Sequence, residues 1–151
     1  MLIRKATLKD IDELIELRIE FMSQLNKNVQ VTKEFIEELQ AYFEEHLRND
    51  SFVAWVAVDN DEIIAASAVC FYTVPPSFKN ITGKNAYIMN VYTREDYRRR
   101  GLGAKLFEKT IEEARIHGCR KIHLSATKDG APLYEKFNFK YNSAEMEYYL
   151  V

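Results

Sequence analysis

The segment TREDYRRRGLGAKL, residues 93–106, holds the residue types best placed to do chemistry. A strand-like apolar run ends at Thr93, a short loop follows, and helical periodicity opens at a Gly-x-Gly preceded by Arg98, Arg99 and Arg100. The first N–H groups of a helix have no intrahelical acceptor and carry a partial positive charge, so such a junction holds anions, phosphates above all. Gly101 and Gly103 remove side chains where a backbone has to approach a ligand closely. The three guanidiniums add fixed positive charge. The plainer alternative is a solvated basic helix start with ordinary glycines. Two common phosphate loops do not match. A Walker-type loop ends in Gly-Lys-Ser/Thr, whereas Gly103 is followed by Ala104, Lys105 and Leu106. A dinucleotide fingerprint needs a third glycine at 106, which is Leu.

The elements that must position this junction are legible from periodicity. LIRKA (2–6) alternates as a short strand, and Thr7 with Asp10 forms a capping-box pattern in which Asp replaces the usual Glu or Gln. From Asp10 to about Leu25 a helix places Ile11, Leu14, Ile15, Met22 and Leu25 on one arc. A second helix runs from Thr32, its N-cap, to about Leu47, with Phe35, Ile36, Leu39, Tyr42 and Phe43 on its apolar side. FVAWVAVD (52–59) and EIIAASAVCFYTV (62–74) read as strands around an Asn60-Asp61 turn, and Pro75-Pro76 ends the second. After an irregular loop, 75–85, comes the strand AYIMNVYT (86–93). A helix follows from Gly101 to His117, with Leu102, Leu106, Phe107, Thr110, Ile111 and Ala114 on its inner half and Gly118 as its stop. KIHLSA (121–126) is a strand, a short helix spans about Ala131–Phe137, and FKYNSAEMEYYLV reads as two short strands around Asn142-Ser143. The order β-α-α-β-β-β-α-β-α-β-β predicts an α/β (α+β-like) fold. Its mixed, mostly antiparallel sheet has six to seven strands, one parallel pair with a right-handed crossover, and about four flanking helices.

The chain has 151 residues, the size of one domain, and is 47% hydrophobic with only 5 Gly and 3 Pro, which excludes a disordered or low-complexity chain. Its longest apolar stretch, 63–71, is about half a membrane span, and MLIRKATLKD has no apolar signal region, so a cytoplasmic protein is expected. Cys70 and Cys119 form neither a disulfide framework nor zinc spacing, and His46, His117 and His123 are scattered, so no metal is expected. The net charge of −2 argues against nucleic acid as a partner. Charge is unevenly distributed: residues 1–50 hold 11 acidic and 7 basic residues, and residues 94–109 hold 6 basic and 3 acidic ones. One compact basic patch on an otherwise acidic chain suits a small anionic ligand.

Arg-x-x-Gly-x-Gly, here Arg98 to Gly103, following the strand YIMNVYT resembles the signature of the GNAT superfamily of acetyl-CoA-dependent N-acetyltransferases. A second hallmark lies at the matching distance, Leu133-Tyr134-Glu135-Lys136-Phe137-Asn138-Phe139. The resemblance covers essentially the whole chain and implies acetyl-CoA as cosubstrate and an amine of a small molecule, amino acid or peptide as acceptor. It implies that backbone N–H groups of Arg99, Arg100, Gly101, Leu102, Gly103 and Ala104 cradle the pyrophosphate, with Arg98 beside them. Val91, Tyr92 and Thr93 would offer main-chain groups to the pantetheine arm, a ligand pairing with a strand edge. By the same analogy the N–H of Val91 or Tyr92 donates to the oxyanion, and Tyr134 is the general acid that protonates the departing thiolate. The lesser alternative for Tyr134 is a helix tyrosine packed on the sheet. Thr127 matches a position that caps the short helix, touches the cofactor, or does both.

Two departures from the family pattern stand out. Some members place a glutamate base on the central strand, but 86–93 has no carboxylate, and Asn90 there can orient a water or the amine without taking a proton. The usual glycine after Lys136-Phe137 is Asn138, which tolerates left-handed backbone. The fold implies an acceptor site between residues 18–45 and 75–85. Arg18 falls inside the apolar arc of the first helix, so its head either snorkels out or reaches into the cleft toward a carboxylate. Tyr72 and Phe78 are candidate lining residues. The acidic excess of 1–50 would attract a cationic amine, although Glu13, Glu16 and Glu20 lie on the helix's polar side. A non-catalytic acyl-CoA sensor on the same fold is the rival reading. The apolar ending MEYYLV favours a homodimer.

Overall fold

The computed structural model describes residues 1–142 and 144–151. Five strands form one sheet in the order of the chain: β1 (Leu2–Lys5), β2 (Phe52–Asp59), β3 (Glu62–Thr73), β4 (Lys84–Thr93) and β5 (Lys121–Leu124). The first four are antiparallel, and β5 runs parallel to β4. The hairpin between β2 and β3 turns on Asn60 and Asp61, at φ of 50° and 64°, the left-handed pair that a two-residue primed turn demands.

Helices α1 (Ile11–Leu25) and α2 (Lys33–Arg48) cover one face of the sheet, and α3 (Leu102–Ile116) and α4 (Ala131–Lys136) cover the other. The capping box forms at the short 3₁₀ turn Leu8–Asp10 that leads into α1. Asp10 accepts from the Thr7 N–H at 2.7 Å and from Arg4 at 2.8 and 3.0 Å. The Arg4 guanidinium holds the Asp10 carboxyl below the ordinary aspartate range. Thr32 caps α2 by accepting from Phe35 N–H at 3.1 Å.

Strand alternation sorts the two cores. Ala66 and Ala68 of β3 and Phe52, Ala54 and Val56 of β2 join Leu14, Leu17 and Phe43 beneath α1 and α2. Val53, Val69 and Ile88 join Phe107, Ile111 and Tyr134 on the other side. The inner half expected for α3 is buried throughout: Leu102, Leu106, Phe107, Thr110, Ile111 and Ala114. Leu25 does not follow its arc. It sits in the last turn of α1, beyond the sheet, and is 58% exposed.

The sheet is smaller than the six to seven strands expected. Residues 137–142 and 144–151 form no strand, because no neighbouring edge pairs with them, and Ser143 of the expected turn lies outside the described residues. Met146, Tyr148, Tyr149, Leu150 and Val151 are exposed. The outer edge of β5 is correspondingly open. A groove of about 450 Å³ runs along it, lined by Ile122, Leu124, Tyr134, Phe139 and Tyr141 among others.

Candidate active site

The centre of the site is a fork in the sheet. β4 and β5 pair only from Asn85–Lys121 to Ile88–Leu124, and from Met89 onward β4 has no strand on that side. On its other side the register with β3 slips at the same level. Met89 faces Ala68 and Tyr92 faces Ala66, so Asn90 and Val91 together oppose Ser67. This is a β-bulge, which breaks the ladder and re-aims side chains. Asn90 sits at φ 55°, a left-handed conformation that asparagine tolerates better than most residues. The bulge turns the Asn90 amide toward α1, where Arg18 Nη1 donates to its Oδ1. Val91 packs on the opposite face, against the cluster that contains Tyr134 and Phe107.

The basic junction forms the second part. Gly101, at φ 74°, is the N-cap of α3, and a Cβ there would meet no atom within 4 Å, so backbone conformation and not crowding selects glycine. The first intrahelical bond runs from Lys105 N–H to Gly101 C=O at 3.2 Å. The N–H groups of Leu102, Gly103 and Ala104 precede it and no side chain caps them. The arginines divide their roles. Arg98 donates to Thr93 C=O at 2.9 Å and to Gln24 Oε1 at 3.0 Å, and stacks 5.5 Å above the Tyr92 ring. It therefore ties the loop to β4 and α1. Arg100 donates to Asp96 C=O at 3.3 Å over the Tyr97 ring, and Arg99 is exposed.

Tyr134 closes the site from α4. Its ring is 5.1 Å from Phe107 and 6.4 Å from Phe139, and the residue is 7% exposed. Burial raises its pKa, so the phenol is protonated at neutral pH. Thr127 Oγ1 accepts from Gly130 N–H at 3.0 Å and closes the turn before α4, whose N-cap is Gly130 itself with no side-chain cap, so Thr127 does not cap the helix directly. Gly130 is required by close approach: a Cβ there would lie 2.9 and 3.0 Å from Tyr134 Cε2 and Oη. Leu133, beside Tyr134, packs 3.8 Å from where a Gly103 Cβ would stand, which joins the start of α3 to α4.

A second group of polar side chains lies on the face that carries α1 and α2. Of its two sequence-level options Arg18 takes the inward one, and burial lowers its pKa among the phenols of Tyr42 and Tyr87. Tyr72 Oη bonds His123 Nε2 at 2.5 Å, and the Tyr87 ring lies 4.8 Å from the same imidazole. Burial holds His123 below the usual histidine range, hence neutral at pH 7. Phe78 does not join this group, because it is fully exposed on the loop between β3 and β4. The acidic excess of the N-terminal region is largely committed elsewhere. Glu13 accepts from Ile63 N–H at 2.8 Å, and Glu20 bonds Arg94 at 3.0 Å and Tyr92 Oη at 3.2 Å. Sequence reading missed His123 and Tyr87. The signal was the alternation itself, since His123 faces away from Ile122 and Leu124, as Tyr87 does from Ala86 and Ile88.

A strand fork, a bulge beside it and an uncapped basic helix start make up an anion-binding cleft at the edge of a mixed sheet. The chain belongs to the acetyltransferase (GNAT) family, whose model matches residues 11–139. It is similar to a predicted acetyltransferase from Clostridium acetobutylicum solved with acetyl-CoA, at 33% identity and a TM-score of 0.90, over 99% of this chain and 96% of that one. It is also 27% identical to glucosamine 6-phosphate N-acetyltransferase 1 of Dictyostelium discoideum, over 93% of this chain and 87% of that protein. A shorter match, 33% over 57 residues and about a third of each chain (36% and 34%), is to thialysine N-epsilon-acetyltransferase of Sus scrofa. Among the described residues no helix is long and apolar enough to cross a membrane, and no group of three or more His, Cys, Asp or Glu side chains is placed to hold a metal ion.

Proposed function

We propose that the chain transfers an acetyl group from acetyl-CoA to the primary amine of a small molecule, amino acid or peptide by direct attack. The observation that carries this reading is the fork at Met89–Thr93, flanked by the uncapped N–H groups of Leu102, Gly103 and Ala104 and by a protonated Tyr134. The residues present suit an acyl-coenzyme A. The start of α3 is anion-binding, no acidic side chain occupies its first turn, and the unpaired edge of β4 can receive an extended arm.

In this reading the backbone from Arg99 to Ala104 holds the pyrophosphate, with Arg100 and Arg99 supplying charge and Arg98 fixing the loop. Main-chain groups of Val91, Tyr92 and Thr93 hold the pantetheine arm, and the N–H of Val91 or Tyr92 donates to the thioester oxygen as charge develops on it. The acceptor enters between α1 and the β4–β5 face, beside Arg18, Asn90 and Tyr72. Its neutral amine forms the new C–N bond, the C–S bond breaks, Tyr134 gives its proton to the sulfur, and the amine's proton leaves through water. Asn90 orients the amine or that water. Thr127 holds the loop beneath Tyr134. Glucosamine 6-phosphate and thialysine, named for the relatives, are small primary amines, which supports this substrate class.

Incubation with acetyl-CoA and a panel of primary amines should release free thiol in proportion to acetylated product. Acetyl-CoA bound with no amine-dependent thiol release would contradict the enzyme reading and leave the sensor.

We also propose a cytoplasmic homodimer. Free Cys70 and Cys119 suit a reducing compartment, and the exposed apolar tail beside the open β5 edge suits a second copy. Sedimentation should give the mass of two chains; the mass of one rejects the dimer.

A further inference from the structure

Arg18 differs from the other cations that pack against the body of the protein. Arg4 meets Asp10 at 2.8 Å, Lys5 meets Glu113 at 2.7 Å, and Arg94 meets Glu20 at 3.0 Å. The half-buried Arg18 guanidinium instead donates to a neutral amide oxygen, that of Asn90. Among the described residues no ion pair within 4 Å joins it to a carboxylate, and the phenols of Tyr42 and Tyr87 act on it only through longer-range electrostatics. A guanidinium stays charged even when partly buried, and it presents a planar fork suited to two oxygens of an oxyanion. Among the described residues only one arm of that fork has a hydrogen-bond partner. A half-buried cation without a counter-charge is partly stripped of water, and an anion that reaches its open nitrogens gains from that.

Its place gives the missing charge a purpose. Arg18 lies beside Phe21, Ala68 and Tyr92, and touches the bulge residue that precedes Val91. We propose that the acceptor carries an oxyanion, a carboxylate or a phosphate, only a few bonds from its amine, and that the Arg18 fork binds this group. The inference rests on the acetyltransferase reading and narrows it. The short span follows from that reading: Arg18 contacts Asn90, and the N–H of Val91 or Tyr92, one or two residues on, would hold the reacting carbonyl. A group bonded to Arg18 is therefore close to the attacking nitrogen, as in an α- or β-amino acid or an aminoalkyl phosphate. An amine at the far end of a long chain does not fit both contacts.

The test is thiol release from acetyl-CoA with matched acceptors: glycine against glycinamide, β-alanine against its amide, and 2-aminoethyl phosphate against ethanolamine. In at least one pair the anionic member should be preferred by about 30-fold or more in kcat/KM, and which pair shows it separates carboxylate from phosphate. Arg18→Gln should bring that ratio close to one, chiefly through KM. Arg18→Lys, which keeps charge and loses the fork, should fall between and serves as the deciding variant if the Gln protein does not fold by circular dichroism. Equal turnover of neutral and anionic partners, or an unchanged ratio in the variants, overturns the anion inference while the acetyltransferase reading stands. No thiol release from any amine by protein that binds acetyl-CoA overturns both.

Discussion

Replacing Tyr134 with Phe is expected to lower kcat by about 100-fold, with acetyl-CoA affinity unchanged. The substitution keeps the ring, so its packing against Phe107 and Phe139 and the fold of α4 are preserved. What is lost is one hydroxyl, held near Thr127 and Gly130 and kept protonated by burial. Because that burial raises the phenol's pKa, the donor form persists past the ordinary tyrosine value of about 10, and wild-type turnover should show no loss of an acid across the neutral range. Steady-state kinetics paired with calorimetric binding checks both parts. A kcat within about twofold of wild type would make Tyr134 a packing residue and leave the thiolate to take its proton from water.

Asn90→Val should be far more damaging than Asn90→Gly. A β-branched residue at φ 55° is a genuine outlier, costing about 1–3 kcal/mol, whereas glycine adopts that conformation freely. Both variants remove the acceptor of Arg18, so the difference between them isolates the backbone. The Val protein should melt at lower temperature and lose turnover, because straightening the bulge moves the Val91 N–H out of the fork. The Gly protein should keep nearly wild-type stability and retain measurable turnover. Equal melting temperatures for the two would show that the left-handed bulge is not a constraint on this strand.

Much of the fold is written in local pattern. The apolar run of 52–59, the Asn60-Asp61 turn, the Thr7–Asp10 box, the Thr32 cap and the inner face of α3 all appear where short-range chemistry places them. The site is less legible, because its decisive contacts join distant positions. Nothing in YIMNVYT marks Asn90 as the bulge, since a register slip is a property of two strands together. Arg98 looks like a free phosphate ligand until Gln24, from another helix, is seen to hold it. Glu113 lies only 3% exposed because Lys5 and the Trp55 indole, on β1 and β2, reach it at 2.7 and 3.2 Å. The tail misleads in the other direction. Its alternation suits strands, yet 144–151 pairs with no strand and the outer edge of β5 stays open, because a strand is made by the pairing of two edges and not by the pattern of one segment.

The most direct measurement is a calorimetric titration of the purified protein with acetyl-CoA, repeated on a Gly103→Phe variant. A bulky side chain there would start from a Cβ 3.8 Å from Leu133 Cδ2 and crowd the junction of α3 with α4, next to the uncapped N–H groups of Leu102, Gly103 and Ala104. The wild-type protein should bind at a single site per chain, and the variant should bind about tenfold or more weakly. Folded wild-type protein that gives no heat with acetyl-CoA, or a variant that binds equally well, would contradict the assignment of the helix start as the cofactor's anchor.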